Sequence, residues 1–349
     1  MKKRTWSVII VLAACLVVLA ACKKSVGTPE DNATANKNTE TDAEGEEGTS
    51  EEEDEDTSEE EEVKYKFGFS GIDMQNPYFI TLESAVKEGL GDEDYRMITK
   101  DPGSDPDLQN QQIQEMIDEG IDAIFLSPVD WEKISTSLRA LKDAGVKIIN
   151  VDTQVKESEY VDAYVGSDNQ AAGYLCGKDL IERCPDGGNV LILESTTMNS
   201  VNDRITGFEK ALSSAEVGFE IVDRADADGQ FQKALDETKA MLDAHPEITA
   251  IMCGNDQIAV GAITALNLAE RKDIIVYGID GSPDIKKELV KKDSVVAGTV
   301  AQSPIHMGKD AAKVALAILK DNEYEPETYE EVYMINSDNV EMYGVDGWQ

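Results

Sequence analysis

The chain has 349 residues, 41% of them apolar, and a formal net charge of −38. That length allows two lobes of ordinary domain size once a processed leader and a linker are set aside, and the apolar fraction can fill their cores. Such an acidic chain repels phosphate backbones, which excludes nucleic acid as an expected partner.

Lys2, Lys3 and Arg4 open the sequence, and an apolar run from Val8 through Leu19 follows, ending in Leu19-Ala20-Ala21-Cys22. The run is shorter than the roughly 20 apolar residues of a membrane-spanning helix. It resembles a bacterial lipoprotein signal covering residues 1–22, with Cys22 carrying the diacylglycerol that anchors the chain to a membrane. From residue 23 to 62 there is no apolar periodicity, and Glu51 to Asp56 is unbroken acid. Self-repulsion and lack of burial predict a disordered tether there. Coil statistics give such a stretch a reach of about 35 Å.

From Lys64 onward, short β-branched runs alternate with amphipathic stretches. Strands are expected over 65–70, 95–99, 123–127, 147–152 and 163–166, and again over 189–194, 220–224, 250–253, 274–279 and 295–300. Helices are expected between them over 77–89, 107–119, 131–144 and 169–183, then 202–213, 231–244, 257–269 and 304–319. The runs 123–126 and 147–151 are almost continuously apolar, as strands buried on both faces must be. Strand–helix alternation predicts doubly wound parallel sheets. Because the pattern is run twice, the expected fold is α/β with two Rossmann-like lobes.

Ligands in such folds bind outside the carboxyl ends of the strands. Several strands finish there in groups able to grip hydroxyls: Asp152, Asn255-Asp256, Asp280-Gly281 and Gln302. The first strand runs on to Asn76-Pro77-Tyr78-Phe79, whose rings can face the C–H surface of a sugar. Planar carboxylate, amide and guanidinium groups meet neighbouring hydroxyls two at a time. Any one of these Asp or Asn residues is equally suited to capping a helix; it is the recurrence that points to a site.

Asn76-Pro77-Tyr78-Phe79, Ser167-Asp168-Asn169, Arg204 with Gly207-Phe208, Asn255-Asp256, Gly278-Ile279-Asp280-Gly281 and Ala301-Gln302 resemble, in order and spacing, the periplasmic ribose-binding protein family. The resemblance runs from about Lys64 into the 330s. It implies two lobes joined by a three-strand hinge, the type I periplasmic binding protein arrangement. One lobe would comprise 63–167 and about 303–330, the other 168–302 and about 331–349. It also implies ligand contacts at Asn76, Tyr78, Phe79, Asp152, Arg204, Asn255, Asp280 and Gln302. In that scheme Tyr78 and Phe79 stack on the ring, Asp152, Asn255 and Asp280 orient hydroxyls, and Arg204 and Gln302 donate. Asp168 is expected to cap a helix.

The chain departs from ribose binders where Thr153 replaces an arginine, Ser127 an asparagine and Ala227 an aromatic residue. Thr153, Ser127 and Trp131 are therefore secondary candidates; Trp131 either refills the cleft or packs at a helix start behind an Asp130 cap. The implied function is capture of a monosaccharide or related polyol by hinge closure, and delivery to the permease subunits of an ABC importer. The protein would work as a monomer on the outer face of a membrane, that of a Gram-positive cell by preference. A binder presenting a furanose-like signal to a sensor receptor is the alternative.

Enzymatic chemistry, cofactors and metals are not expected. His245 and His306 have no metal-ligand spacing, and His245 precedes Pro246 at a helix end, where it suits capping. Gly173 to Lys178 looks like a phosphate loop but is one residue short and followed by Asp179. Asp223 to Gly229 resembles a calcium loop, yet Arg224 and Leu235 fall at the first and twelfth ligand positions. An oxidising exterior would let Cys176 pair with Cys184. Eight positions along one helix, however, separate them by about 12 Å, too far for a disulfide.

Overall fold

The computed structural model describes residues 63–349. The expected signal, the lipidation site Cys22 and the acidic tether lie outside the described residues.

The first lobe opens with β1 (Tyr65–Ser70), α1 (Pro77–Leu90), β2 (Tyr95–Lys100), α2 (Pro106–Asp118) and β3 (Ala123–Leu126). It continues with α3 (Ser135–Asp143), β4 (Lys147–Val151) and β5 (Ala163–Ser167). The chain then builds the second lobe from α4 (Asn169–Arg183), β6 (Gly188–Glu194), α5 (Asn199–Ser213), β7 (Phe219–Asp226) and α6 (Phe231–Ala244). That lobe goes on through β8 (Ala250–Cys253), α7 (Asp256–Leu268), β9 (Ile275–Asp280), α8 (Pro283–Leu289) and β10 (Val296–Ala301). Next, α9 (Pro304–Leu319) returns to pack on α1, and β11 (Glu327–Glu330) joins the first sheet. Finally β12 (Tyr333–Asn336) joins the second sheet and α10 (Val340–Tyr343) follows it.

Each lobe holds a six-stranded sheet, ordered β11-β5-β4-β3-β1-β2 in one and β12-β10-β9-β8-β6-β7 in the other. All pairings are parallel except β10 with β12. The backbone crosses between lobes three times: at Asp168, at Gln302-Ser303 and at 331–332. The α/β architecture expected from strand–helix alternation is the one observed. β3 and β8 are buried at every residue, and β4 at all but its first, which is why their sequences are apolar apart from Lys147 and Asn150 of β4.

Helix starts are written locally. Pro77 supplies the preset φ of a first helical residue, and the Asn76 side chain accepts the Tyr78 N–H at 3.0 Å. Asp168 takes the Ala171 N–H at 2.9 Å, the capping role expected of it. The helix expected from residue 131 begins instead at Ser135. Asp130 Oδ1 accepts the N–H groups of Glu132 (2.9 Å) and Lys133 (3.0 Å), so the chain turns before it winds. Four short or polar elements, α8, β11, β12 and α10, were not anticipated; β11 carries the sequence Glu-Thr-Tyr-Glu and offers no apolar pattern. Cys176, Cys184 and Cys253 are all free, with Cys184 capping the helix that carries Cys176.

The stretch 173–178 lies inside α4 and has a packing role. A Cβ built on Gly173 would stand 1.7 Å from the Arg204 carbonyl oxygen, and one on Gly207 would stand 2.0 Å from that of Gln170. Helices α4 and α5 therefore meet backbone to backbone. Since a backbone atom cannot swing aside, Gly173→Ala should cost about 2–3 kcal/mol of stability, the upper part of the range for overpacking. Chemical denaturation measures it; a variant as stable as the parent would refute the close approach.

Candidate functional site

The carboxyl ends of both sheets face a common cavity of about 330 Å³. Asn76, Tyr78, Phe79 and Asp152 line it from the first lobe, Arg204, Asn255 and Asp280 from the second, and Gln302 from the middle crossing. Thr153 is also on the wall. The lobes touch beside it: Thr153 Oγ1 lies 2.7 Å from Ser200 Oγ, and the Trp131 N–H donates to the Thr197 carbonyl at 3.0 Å.

Two secondary candidates stand off the wall. Ser127 is fully buried behind it and donates to Asp152 Oδ2 at 3.2 Å. Trp131 does not refill the cleft: its indole lies under the Lys156 ammonium, 5.6 Å from the ring centroid, while Asp130 caps the turn around it. Its backbone, held to Thr197, accounts for that position.

The polar groups of the wall are half committed to the scaffold. Arg204, 3% exposed, donates Nε to Asn169 Oδ1 (2.8 Å) and Nη1 to the Gly254 carbonyl (2.9 Å). The same Nη1 lies 3.5 Å from Asp280 Oδ1, and Nη2 has no acceptor among the described residues. Asn76 and Asn255 each spend the side-chain oxygen on a helix cap, which leaves both amide nitrogens without a partner among the described residues. Gln302 is committed at both ends of its amide: its Nε2 donates to Asp280 Oδ1 at 2.8 Å and its Oε1 accepts the Ser167 hydroxyl at 3.0 Å, leaving its second N–H as the donor it can offer. It joins the two lobes at the hinge as much as it faces the cavity.

Backbone strain concentrates here. Ser104, Asp152, Asp228 and Asp280 all line the cavity with positive φ (64°, 63°, 50° and 151°). Non-glycine residues held in such conformations cost on the order of 1–3 kcal/mol each and persist where the surroundings over-determine them.

The electrostatics follow from burial. Desolvation raises the Asp280 pKa, opposed by Arg204 and reinforced by the neighbouring Asp256. Asp152 is raised by the same cause, with Arg204 and the hydroxyls of Thr153, Tyr78 and Ser127 pulling the other way. Burial, then the charges of Asp152 and Asp280, push the Tyr78 phenol well above its usual range, so it stays a neutral donor. Behind Asp280, Asp256 accepts the Thr299 hydroxyl (2.8 Å) and the Ser282 N–H (2.7 Å) and belongs to the support rather than the wall.

Sequence reasoning passed over Ser104, Ser200, Asp228, Gln230, Phe231 and Gln257, all of which line the cavity. Ser104, Ser200 and the segment 228–231 follow strands β2, β6 and β7, so the carboxyl-end rule pointed at them; the helix pattern from Phe231 drew attention elsewhere. In the acidic run 223–228, Asp223 faces His245 Nε2 at 3.1 Å, Asp226 takes the Thr196 N–H at 3.1 Å, and Asp228 pairs with Lys233 at 2.7 Å. Those carboxylates turn to separate partners, and no metal-ligand cluster occurs among the described residues.

A carboxylate whose pKa is raised in the fold favours folding below its unfolded value of about 3.9 and loses that contribution as pH rises through the folded value. Asp280 should therefore make the empty protein less stable as pH climbs from about 4. Thermal melts of Asp280→Asn against the parent across pH 4 to 8 should show a flatter decline; identical pH slopes would count against the buried charge.

The model of the family described as periplasmic binding protein domain matches residues 67–323. The chain is 29% identical over 253 residues to the ribose import binding protein of Bacillus subtilis, covering 72% of this chain and 81% of that one. It is 30% identical over 258 residues to the D-ribose/D-allose-binding protein of Pseudomonas aeruginosa, covering 70% and 79%. Among solved structures, an ABC transporter solute binding protein from Mycobacterium smegmatis with bound glycerol superposes with a TM-score of 0.76 at 26% identity. That superposition covers 82% of this chain and 99% of the other. The two-lobed fold, the cavity between its strand ends and these likenesses agree: the chain belongs to the periplasmic binding protein domain family.

Proposed function

We propose that this protein captures a monosaccharide or related polyol between its lobes by hinge closure and delivers it to an ABC-type sugar importer. The observation that carries this reading is the set of half-committed planar groups. Arg204 fixes two of its nitrogens to the scaffold, Asn76 and Asn255 fix one side-chain oxygen each, and all three keep a donor in reserve. The carboxylates of Asp152 and Asp280 supply acceptors, and Tyr78 and Phe79 supply ring surface. A compact polyhydroxylated guest needs that combination, and groups so restrained lose little entropy on binding. Relatives named for ribose and for ribose with allose, and a neighbour holding glycerol, support a sugar or polyol as the class.

Asn76, Tyr78, Phe79, Asp152, Arg204, Asn255, Asp280 and Gln302 are the proposed contacts, with Thr153 beside them. Thr153 spends its hydroxyl on Asp152 and Ser200 where a ribose binder would offer an arginine. Ala227 is fully buried and brings no ring. Both differences favour a hydroxyl pattern other than that of ribose. The protein binds without turnover, needs no cofactor, and acts as a monomer.

The same proposal places the body on the outer face of the cell membrane, that of a Gram-positive cell by preference. Cys22 bears the lipid and the acidic segment 23–62 acts as the spacer.

Three experiments test the reading. A thermal-shift screen of the full chain against pentoses, hexoses and inositols should yield a hit, since a ligand at 100 times its Kd adds about 2.7 kcal/mol of stability. Arg204→Ala should then weaken that ligand at least tenfold by calorimetry, because hydrogen bonds to a charged group are worth about 1.5–3 kcal/mol; no hit, or an unchanged affinity, defeats the assignment. Separately, Cys22→Ala should move the protein from the membrane fraction to the soluble one, and retention on the membrane would remove the anchor.

A further inference from the structure

The segment after α10 does something the three backbone crossings do not. It leaves the second lobe and returns to the cavity wall of the first. Lys286 on α8 is wholly buried, and its ammonium donates to the carbonyl of Gly347. A buried ammonium is costly to desolvate and persists only with partners that compensate. Here they are that carbonyl and the field of Asp256 and Asp346. The adjoining Trp348 packs edge-on against Tyr78, with centroids 5.6 Å apart and planes at 75°. Next to it, the Gln349 carbonyl accepts the hydroxyl of Ser303, the residue that caps α9 of the first lobe. Gln349 Nε2 also donates back to the Tyr343 carbonyl at 3.1 Å, so the segment is tied at both ends.

Tyr78 is the residue through which this matters. Its ring lines the cavity, meets Phe79 edge-to-face at 5.3 Å, and points its hydroxyl to Met307 Sδ at 3.6 Å. Three of its neighbours thus set its pose: two from its own lobe, and Trp348 delivered by the other. We infer that Trp348 is a positioning residue, anchored through Lys286, that holds the Tyr78 ring on the cavity wall and ties it to the second lobe in the closed pose. Opening the hinge must then break an aromatic contact as well as bend three crossings. This goes beyond the proposed sugar capture and does not depend on which ligand is bound.

The test is made on the empty protein, so that it stands apart from the ligand screen. Spin labels on Asp107→Cys and Gln232→Cys, exposed positions on helices of opposite lobes, report lobe separation by pulsed electron resonance. The background is the full chain with Cys15→Ser, Cys22→Ser and Cys184→Ser. Trp348→Ala should raise the ratio of open to closed molecules two- to tenfold, and Trp348→Phe should return it to within twofold of the parent. A Trp348→Ala distribution superimposable on the parent's overturns the inference, as does a Trp348→Phe variant no closer to it than Trp348→Ala. If Trp348→Ala fails to fold, Lys286→Met, which frees the anchor and keeps the ring, must produce the same shift; its absence likewise overturns the inference.

Discussion

Everything in this cleft depends on one buried cation. Two acidic strand ends, Asp152 and Asp280, converge on a cavity that strips them of water, and Arg204 is the group that makes their burial tolerable. A buried ion pair returns its desolvation cost only when the geometry is good and the remaining hydrogen-bonding capacity is met. Arg204 meets that condition through Asn169 and Gly254, both rigidly placed. Its placement depends in turn on two residues without side chains. Gly173 and Gly207 let α4 and α5 approach until Asn169, at the start of one helix, reaches Arg204 in the first turns of the other.

The same economy governs the rest of the wall. Amide oxygens at Asn76 and Asn255 cap helices that begin where strands end, so the fold orients the free amide nitrogens as a by-product of starting a helix. Strain at Ser104, Asp152, Asp228 and Asp280 is the counterpart: at these four residues of the cavity wall the backbone is held outside its preferred region. Gln302 ties this chemistry to the crossing between lobes, because it joins Asp280 in one sheet to Ser167 at the end of the other. A change in lobe geometry would therefore change the surroundings of a carboxylate that faces the cavity. Lobe geometry and site electrostatics are one system.

Much of this was legible in the chain. The largely apolar runs 123–126 and 147–151 are of strand length and suit strands buried on both faces, and their alternation with helical patterns points to parallel sheets. Pro77 behind Asn76 and the Asp168-Asn169 pair announce helix starts in local chemistry, which needs no partner. The elements that escaped notice are those stabilised from elsewhere. β11 exists because β5 offers it an edge, β12 because β10 does, and α3 starts late because Asp130 captures two N–H groups and Thr197 of the other lobe a third.

The sequence by itself determined the periods of its strands and helices, its caps, and which polar residues stand at strand ends, because each of these follows from neighbours along the chain. Only the tertiary structure decided which of them share a cavity. Ser127 and Trp131 sit at the same strand end, yet one supports Asp152 from behind and the other is drawn to the lobe contact. Ser104 reaches the wall from a turn, and Ser200 and Phe231 from the first residues of α5 and α6, where no distinctive pattern marks them. The physical reason is that burial, and with it the pairing of Arg204 with Asp280 or Trp348 with Tyr78, arises from contacts between residues 76 and 270 positions apart, which no local pattern encodes.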